Sequence, residues 1–474
     1  MNPPYEPAPI DRYCRLFPPT ATLFDLKLME QLGLSMEADA SRIPKEKERH
    51  PPPAGYTYFG QFIDHDLTLD ETPLVQAVDY GPSPAQMING ADARLNLNHL
   101  YGHGPGSVQH GHLYEHDGAS FRLGDVRTKR NVSFDFPMTA DGPQSAEPRN
   151  TENLVLRQLC VMFLKLHNLA VQELPDTLDP MERFQRARNR VCWQYQWLVR
   201  EDYLAQITRY NVYKQVVRNG QRKIDWQRKG FAIPVEFSQA AFRFGHSMVR
   251  ATYDLNSESK EVDLIELFGP PQAGKAMDPR MAIEWSNFLD TSESTPGGRG
   301  RVPAMAIDTT LVPRLFDLPD SHVQHFDDPG APPLPPQLAV RTLKRGASIR
   351  LATGEEASRA LGLPLLQERG LEGAESSWKT LERLGLTGRT PLWYYILLEA
   401  EMETLGVSLG TLGTQLVLEV IDGSLRTDPC SYLSCFGAGW KPPPWNLTGG
   451  TTREIRRLLD LAEVTGLATV APQA

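Results

Sequence analysis

A chain of 474 residues with 41% hydrophobic and 23% charged residues can bury a large core, which excludes disordered, fibrous and membrane-embedded classes. Its net charge of −9 argues against a general nucleic-acid surface, because neutralising phosphates requires a basic face. No run of about 18 apolar residues spans a membrane, the start Met1-Asn2-Pro3-Pro4 lacks the pattern of a secretory signal, and Cys14, Cys160, Cys192, Cys430 and Cys435 are scattered without metal-ligand spacing. The expectation is a cytoplasmic protein with reduced thiols, export by an unrecognised route aside.

Residues 1–54 are rich in proline and charge and read as an irregular arm, with one short helical piece near residues 23–34, packing on a main body of residues 55–474. The stretch Tyr58-Phe59-Gly60-Gln61-Phe62-Ile63-Asp64-His65-Asp66 then sets four polar side chains in an apolar run. At about 100° per residue, Gln61 and His65 share one helix face, Asp64 flanks them and Asp66 points elsewhere. An imidazole beside an amide and a carboxylate is a catalytic arrangement, and a buried histidine held by satisfied acids is the structural alternative. Residues 73–84 form a loop leading to Leu95-Asn96-Leu97-Asn98-His99-Leu100-Tyr101-Gly102, whose alternation predicts a short strand.

Arg149 and Glu152, three apart at a helix start, form by themselves a surface pair with capping value. Apolar stripes predict core helices over residues 154–171 and 181–207, with His167 as a structural histidine. In Ser238-Gln239-Ala240-Ala241-Phe242-Arg243-Phe244-Gly245-His246, Ser238 is a candidate N-cap and Arg243 and His246 face the same side. Gly245 would let a flat cofactor approach the backbone, although a lone histidine among aromatics reads first as core. Residues 255–335 look irregular apart from a helical fragment at Trp285–Leu289, and residues 391–421 read as closing helices. There is no internal repeat, phosphate-binding glycine loop or zinc pattern.

Four of these segments, in this order, resemble the animal-type haem peroxidases. Gly60-Gln61-x-x-Asp64-His65-Asp66 matches the family's distal pattern Gly-Gln-x-x-Asp-His-Asp. The resemblance implies His65 as distal acid–base, Gln61 as the residue positioning water or halide, Asp64 as an ester to a haem methyl, and Asp66 as a calcium ligand. Arg149-Asn150-Thr151-Glu152 resembles Arg-x-x-Glu, which implies that Arg149 stabilises the departing peroxide oxygen and that Glu152 forms a second ester. Asn153 stands where myeloperoxidase-like members carry the methionine of a sulfonium link, so no such link is expected.

Residues 238–250 resemble the proximal helix, with His246 as axial iron ligand and Arg243 on a haem propionate. Leu338-Ala339-Val340-Arg341-Thr342-Leu343-Lys344-Arg345-Gly346 resembles Asn-x-x-Arg, with Arg345 matching and Thr342 replacing the asparagine that accepts the proximal imidazole N–H. A hydroxyl in that role would leave the imidazole less basic and the ferric/ferrous potential higher than in asparagine-bearing relatives. Residues 95–102, ending in Tyr-Gly, resemble the loop that completes the calcium site. Candidate ligands are Asp66, Asp92, the Arg94 carbonyl, Asn96 and Asn98, but Asn96 stands where the family has aspartate, and a hydrogen-bonded loop without an ion competes.

The resemblance covers about residues 50–440 and implies a mainly α fold, a single large helical domain with very little β-structure. It also implies haem b, and a peroxidase that reduces hydrogen peroxide at ferric haem through a ferryl intermediate while oxidising a small donor such as a phenol or halide. Two alternatives accompany it. Fatty-acid dioxygenases of the same superfamily carry a radical-bearing tyrosine three residues before the proximal histidine, where this chain has Arg243. A non-catalytic haem-binding protein would have no need of Gln61, His65 and Arg149.

Overall fold

The computed structural model describes residues 12–38, 51–70, 87–125, 133–226, 232–268, 276–290, 302–319, 335–367, 374–447 and 450–468. The expected loop at 73–84 lies outside them. The helices form where periodicity and caps coincide. Helix α1 (Leu26–Leu34) starts at Asp25, whose carboxylate accepts the Lys27 N–H at 2.8 Å. Helix α2 (Ala54–Leu67) follows the proline run, and Ala54 to Phe59 are all buried. After a single-turn helix α3 (Asn98–Tyr101) come two long core helices, α4 (Leu154–Gln172) and α5 (Pro180–Leu198). Asn153 caps α4 by accepting the Leu156 N–H at 2.8 Å. Asp179 caps α5, and Pro180 takes the first-turn position where its missing N–H costs nothing.

The second half supplies α6 (Leu338–Ser348), α7 (Leu392–Thr404) and α8 (Thr411–Thr427). Leu392 to Glu401 and Leu412 to Leu425 are buried on every side, as befits central helices of a large core. The Glu399 carboxylate accepts the Leu412 and Gly413 N–H groups at 2.9 and 3.0 Å, satisfying orphan donors at the start of α8. Helix α1 lies on α6 so closely that a Cβ on Gly33 would fall 2.8 Å from Val340 Cα. Helix α4 is apolar enough to cross a membrane by composition, yet 78% of its apolar window is buried inside the fold, so it is a core helix. Strand among the described residues consists of three antiparallel pairs, two residues each: Met138–Thr139 with Gly142–Pro143, Thr252–Tyr253 with Val262–Asp263, and Trp445–Asn446 with Thr452–Arg453. The mainly α reading therefore holds.

Two local expectations fail. Residues 95–102 form no strand: Leu97 is left-handed (φ 60°) and leads directly into α3. Side chains take the backbone donors that a ladder would use, since Asp66 Oδ2 accepts the Leu97 N–H at 3.1 Å and Asn96 Oδ1 accepts that of Asn98 at 3.0 Å. Ser238 is not a cap either. Pro234 starts a short helix, Val235–Ser238, and the segment carrying His246 is a separate 3₁₀ helix, Ala241–His246. That geometry still aligns Arg243 with His246, because residues three apart eclipse in a 3₁₀ helix.

Candidate active site

Helix α2 and the turn before α4 make one wall of the site. Gln61 Nε2 donates to Glu152 Oε1, and Gln61 Oε1 accepts from Asn153 Nδ2 at 3.0 Å. His65 Nε2 lies 3.7 Å from the same Glu152 oxygen. Asp64 Oδ1 accepts the Thr68 hydroxyl at 3.0 Å. The face-sharing of Gln61 and His65 read from the sequence is thus present, closed by Glu152. Arg149 is turned toward the end of α2, donating to the carbonyls of Thr68 (2.8 Å) and His65 (3.1 Å) and pairing with Glu147. A guanidinium there satisfies terminal carbonyls and opposes the negative helix end.

The opposite wall is the Ala241–His246 turn, which packs against α2 and is backed by α7 and α8. Arg243 donates to the Ser238 carbonyl at 2.9 Å and to Gln239 Oε1 at 3.1 Å. The Trp393 ring meets the His246 ring edge-on, centroids 5.9 Å apart. Arg345, on α6, pairs with Asp70 at 2.7 Å, and its Nη1 is buried without a hydrogen-bond partner.

Thr342 departs from expectation. Its hydroxyl donates to the Leu338 carbonyl one turn back at 3.0 Å, a bond helical threonines commonly make, and His246 Nδ1 is buried with no hydrogen-bond partner. The expected Thr342–imidazole bond is therefore corrected.

Burial sets the electrostatics of both walls. Burial pushes the Glu152 carboxyl up to about 7, yet its side chain keeps 35% of its surface. Burial also raises Asp64, against the pull of Arg243 and Arg149, and lowers His246 to about 3 with help from Arg243 and Arg341. Asp64, Arg243 and His246 all keep part of their surface despite this desolvation. A Cβ added to Gly245 would meet nothing within 4 Å. His65 is lowered well below its ordinary value, first by burial and then by Arg149 and His99, so it stands neutral at neutral pH with its Nδ1 lacking a hydrogen-bond partner.

These features fit a haem. Each of the two packed segments carries an imidazole, and the half-buried Arg243 and Arg345 match a cofactor bearing two carboxylates. Arg341, lowered to about 10 by burial and by Arg243, adds to that cationic cluster.

The calcium set does not fit. Asp66 Oδ1 lies 3.1 Å from His99 Nδ1, and its other oxygen holds the Leu97 N–H. Asp92 Oδ2 accepts the amides of Asn96 (2.7 Å) and Asn98 (3.4 Å), and Asn98 Oδ1 accepts from Arg188 at 2.6 Å. Calcium requires six to eight oxygens, several anionic, and most of these are committed to N–H donors, while Asp92 Oδ1, without a hydrogen-bond partner, lies 3.8 Å from Arg94 Nε. Among the described residues no group of three or more His, Cys, Asp or Glu side chains is arranged to hold a metal ion. His167 is structural as expected, with its ring nitrogens 3.0 Å from the Tyr101 hydroxyl and 2.9 Å from the Ala119 carbonyl.

Sequence reasoning missed Asn153 as the second partner of Gln61, Asp70 as the partner of Arg345, and Arg188. Asn153 reads from the sequence only as the residue standing where a sulfonium methionine would be. The other two carried no local signal, because their partners are distant in the chain.

The helical body thus brings the two histidine-bearing segments, α2 and the Ala241–His246 turn, into contact. Residues 74–282 match the animal haem peroxidase family model, a span that includes Arg149, Glu152, Arg243 and His246. A curated relative, a peroxidase-like protein of Margaritifera margaritifera, is 24% identical over 269 residues; the match takes in 44% of this chain and 33% of that protein, so the chain spans about a third of its length. Among solved structures, peroxidase A of Dictyostelium discoideum superposes with TM-score 0.59 at 15% identity, covering 99% of this chain and 95% of that one. The fatty acid alpha-dioxygenase of Oryza sativa gives 0.61 at 13% identity, covering 95% and 80%, and that of Arabidopsis thaliana 0.57 at 13%, covering 90% and 75%. These likenesses establish the fold.

Proposed function

We propose that the chain is a haem peroxidase that reduces hydrogen peroxide and oxidises a small donor such as a phenol or halide. The observation that carries this reading is the neutral, buried His65 beside Glu152, which also holds Gln61, on a helix that packs against the segment carrying His246. His246 would hold the iron, and Arg243 and Arg345 the propionates, while Asp64 and Glu152 are the carboxyls available for ester links. When bound, haem supplies an iron that cleaves the peroxide O–O bond and stores the oxidising equivalents.

The protein's part is proton handling. His65, neutral because desolvation disfavours its cation, takes the proton of the incoming peroxide at Nε2 and returns it to the departing oxygen. Gln61, fixed through Asn153 and Glu152, orients that peroxide. Arg149 contributes positive charge at the end of the same helix, with its donors held by Glu147 and by the Thr68 and His65 carbonyls.

The fatty acid alpha-dioxygenase neighbours favour a second reading, oxygenation of a fatty acid at the same haem site. Arg243, three residues before His246, weighs against it, since the resemblance places a tyrosine there in oxygenating members. Peroxide-driven oxidation of a phenolic dye, set beside oxygen uptake with a fatty acid, separates the two. Dye oxidation lost in His65→Ala supports the peroxidase; oxygen uptake without dye oxidation contradicts it. The chain is further proposed to act in the cytoplasm.

A further inference from the structure

The mismatch between the 92–99 loop and calcium has a specific cause. We propose that the guanidinium of Arg188, reaching in from α5, serves as the cation of this loop, so that the loop is fixed on α2 without a metal. Arg188 is 6% exposed, donates to Asn98 Oδ1 at 2.6 Å, approaches the Asn96 carbonyl at 3.5 Å and lies over the Tyr101 ring at 4.9 Å. Two of the oxygens that a metal would need therefore face a fixed positive charge, and a divalent ion beside them would be repelled.

Asn96 belongs to the same device. Its amide donates to Asp92 at 2.7 Å while its oxygen accepts the Asn98 N–H at 3.0 Å. An aspartate could not make the first contact and would repel Asp92. Asp92 Oδ2 is shared by the Asn96 and Asn98 amides, and its Oδ1 lies 3.8 Å from Arg94 Nε. Asp66 completes the link, because its two oxygens tie His99 and the Leu97 N–H to α2 beside His65. One cation from a neighbouring helix and one amide in place of an acid thus replace a bound ion. The inference stands independently of the haem reading, and its test reads metal content and unfolding rather than turnover.

The experiment compares the purified full chain, stripped with EDTA and then given calcium, with Arg188→Met, Arg188→Lys and the double variant Arg188→Met/Asn96→Asp. The wild-type chain is expected to retain no stoichiometric calcium by elemental analysis and to melt at the same temperature with and without it. Arg188→Met should melt lower by about 5 °C, as expected for removing one partner of a buried polar network in a chain of this size. Arg188→Lys should fall between the two. The double variant, with an acid restored and the guanidinium gone, should gain a calcium-dependent rise in Tm. Stoichiometric calcium in the wild type, a calcium-dependent wild-type Tm, an unchanged Tm in Arg188→Met, or a double variant indifferent to calcium would each overturn the proposal. Should Arg188→Met fail to fold, the wild-type metal analysis and the Lys variant decide alone.

Discussion

The wall built on α2 and the wall built on Ala241–His246 differ in what surrounds their histidines. On the first, Gln61, Glu152 and Asn153 form a chain of hydrogen bonds beside His65, and Arg149 ties the end of α2 to the same turn. On the second, His246 touches Trp393 edge-on and its buried Nδ1 has no hydrogen-bond partner, while the Thr342 hydroxyl donates to Leu338 of its own helix. Neither ring's Nδ1 has a hydrogen-bond partner, so the contrast lies in the surroundings: a hydrogen-bonded Gln61–Glu152–Asn153 set stands beside His65, with Glu152 3.7 Å from its Nε2, whereas an indole edge stands beside His246. A ligand that donates no hydrogen bond is a poorer electron donor to iron, which favours a higher ferric/ferrous potential.

The largest effect should come from breaking the bonded wall. His65→Ala is expected to keep its haem and lose about 10³-fold in the rate of reaction with peroxide, measured by stopped flow, within the 10²–10⁴ typical of a positioned acid–base. A wild-type rate would remove His65 from the mechanism. Arg149→Ala comes next. If its charge acts on the reacting oxygen as well as on the helix end, the rate falls about 10²-fold; a lower Tm with the rate intact would make Arg149 a helix cap and nothing more.

The packed wall is sharpened by giving it the missing partner. Thr342→Asn should lower the ferric/ferrous potential by roughly 60 mV, the equivalent of about 1.4 kcal/mol for a one-electron couple and the scale of one hydrogen bond. An unchanged potential in spectroelectrochemistry would show that the Thr342 position does not set the imidazole's basicity.

A smaller effect on activity, though a measurable one on stability, concerns the helix behind this wall. Glu399 of α7 is raised by burial, with Glu403 adding to the rise, from 4.5 to about 8. Its folded value exceeds its unfolded value, so its contribution to stability is complete below about pH 4.5 and is lost as pH rises toward 8. The full difference is roughly 5 kcal/mol at 1.36 kcal/mol per pKa unit. Denaturant titrations of Glu399→Gln should show a flatter decline of stability over that range than the wild type. Parallel declines would place the proton elsewhere.

Much of this arrangement was legible in the sequence because it is carried by short-range patterns. The helical face-sharing of Gln61 and His65 and the three-residue spacing of Arg243 and His246 follow from local geometry. What escaped depended on choices between local and distant partners. Thr342 could bond its own helix or the imidazole, and the alternating residues 95–102 could pair as a strand or be claimed by Asp66 and Asn96 side chains. Arg188 lies 90 residues from the Asn98 amide it holds, and no spacing rule links them.

The account rests on one porphyrin lying between these two walls, and a haem titration of the full chain tests it most directly. One equivalent should bind with a saturable Soret band that persists in His65→Ala and is lost or strongly shifted in His246→Ala. A chain that binds no stoichiometric haem, or whose Soret band is indifferent to His246, would contradict it.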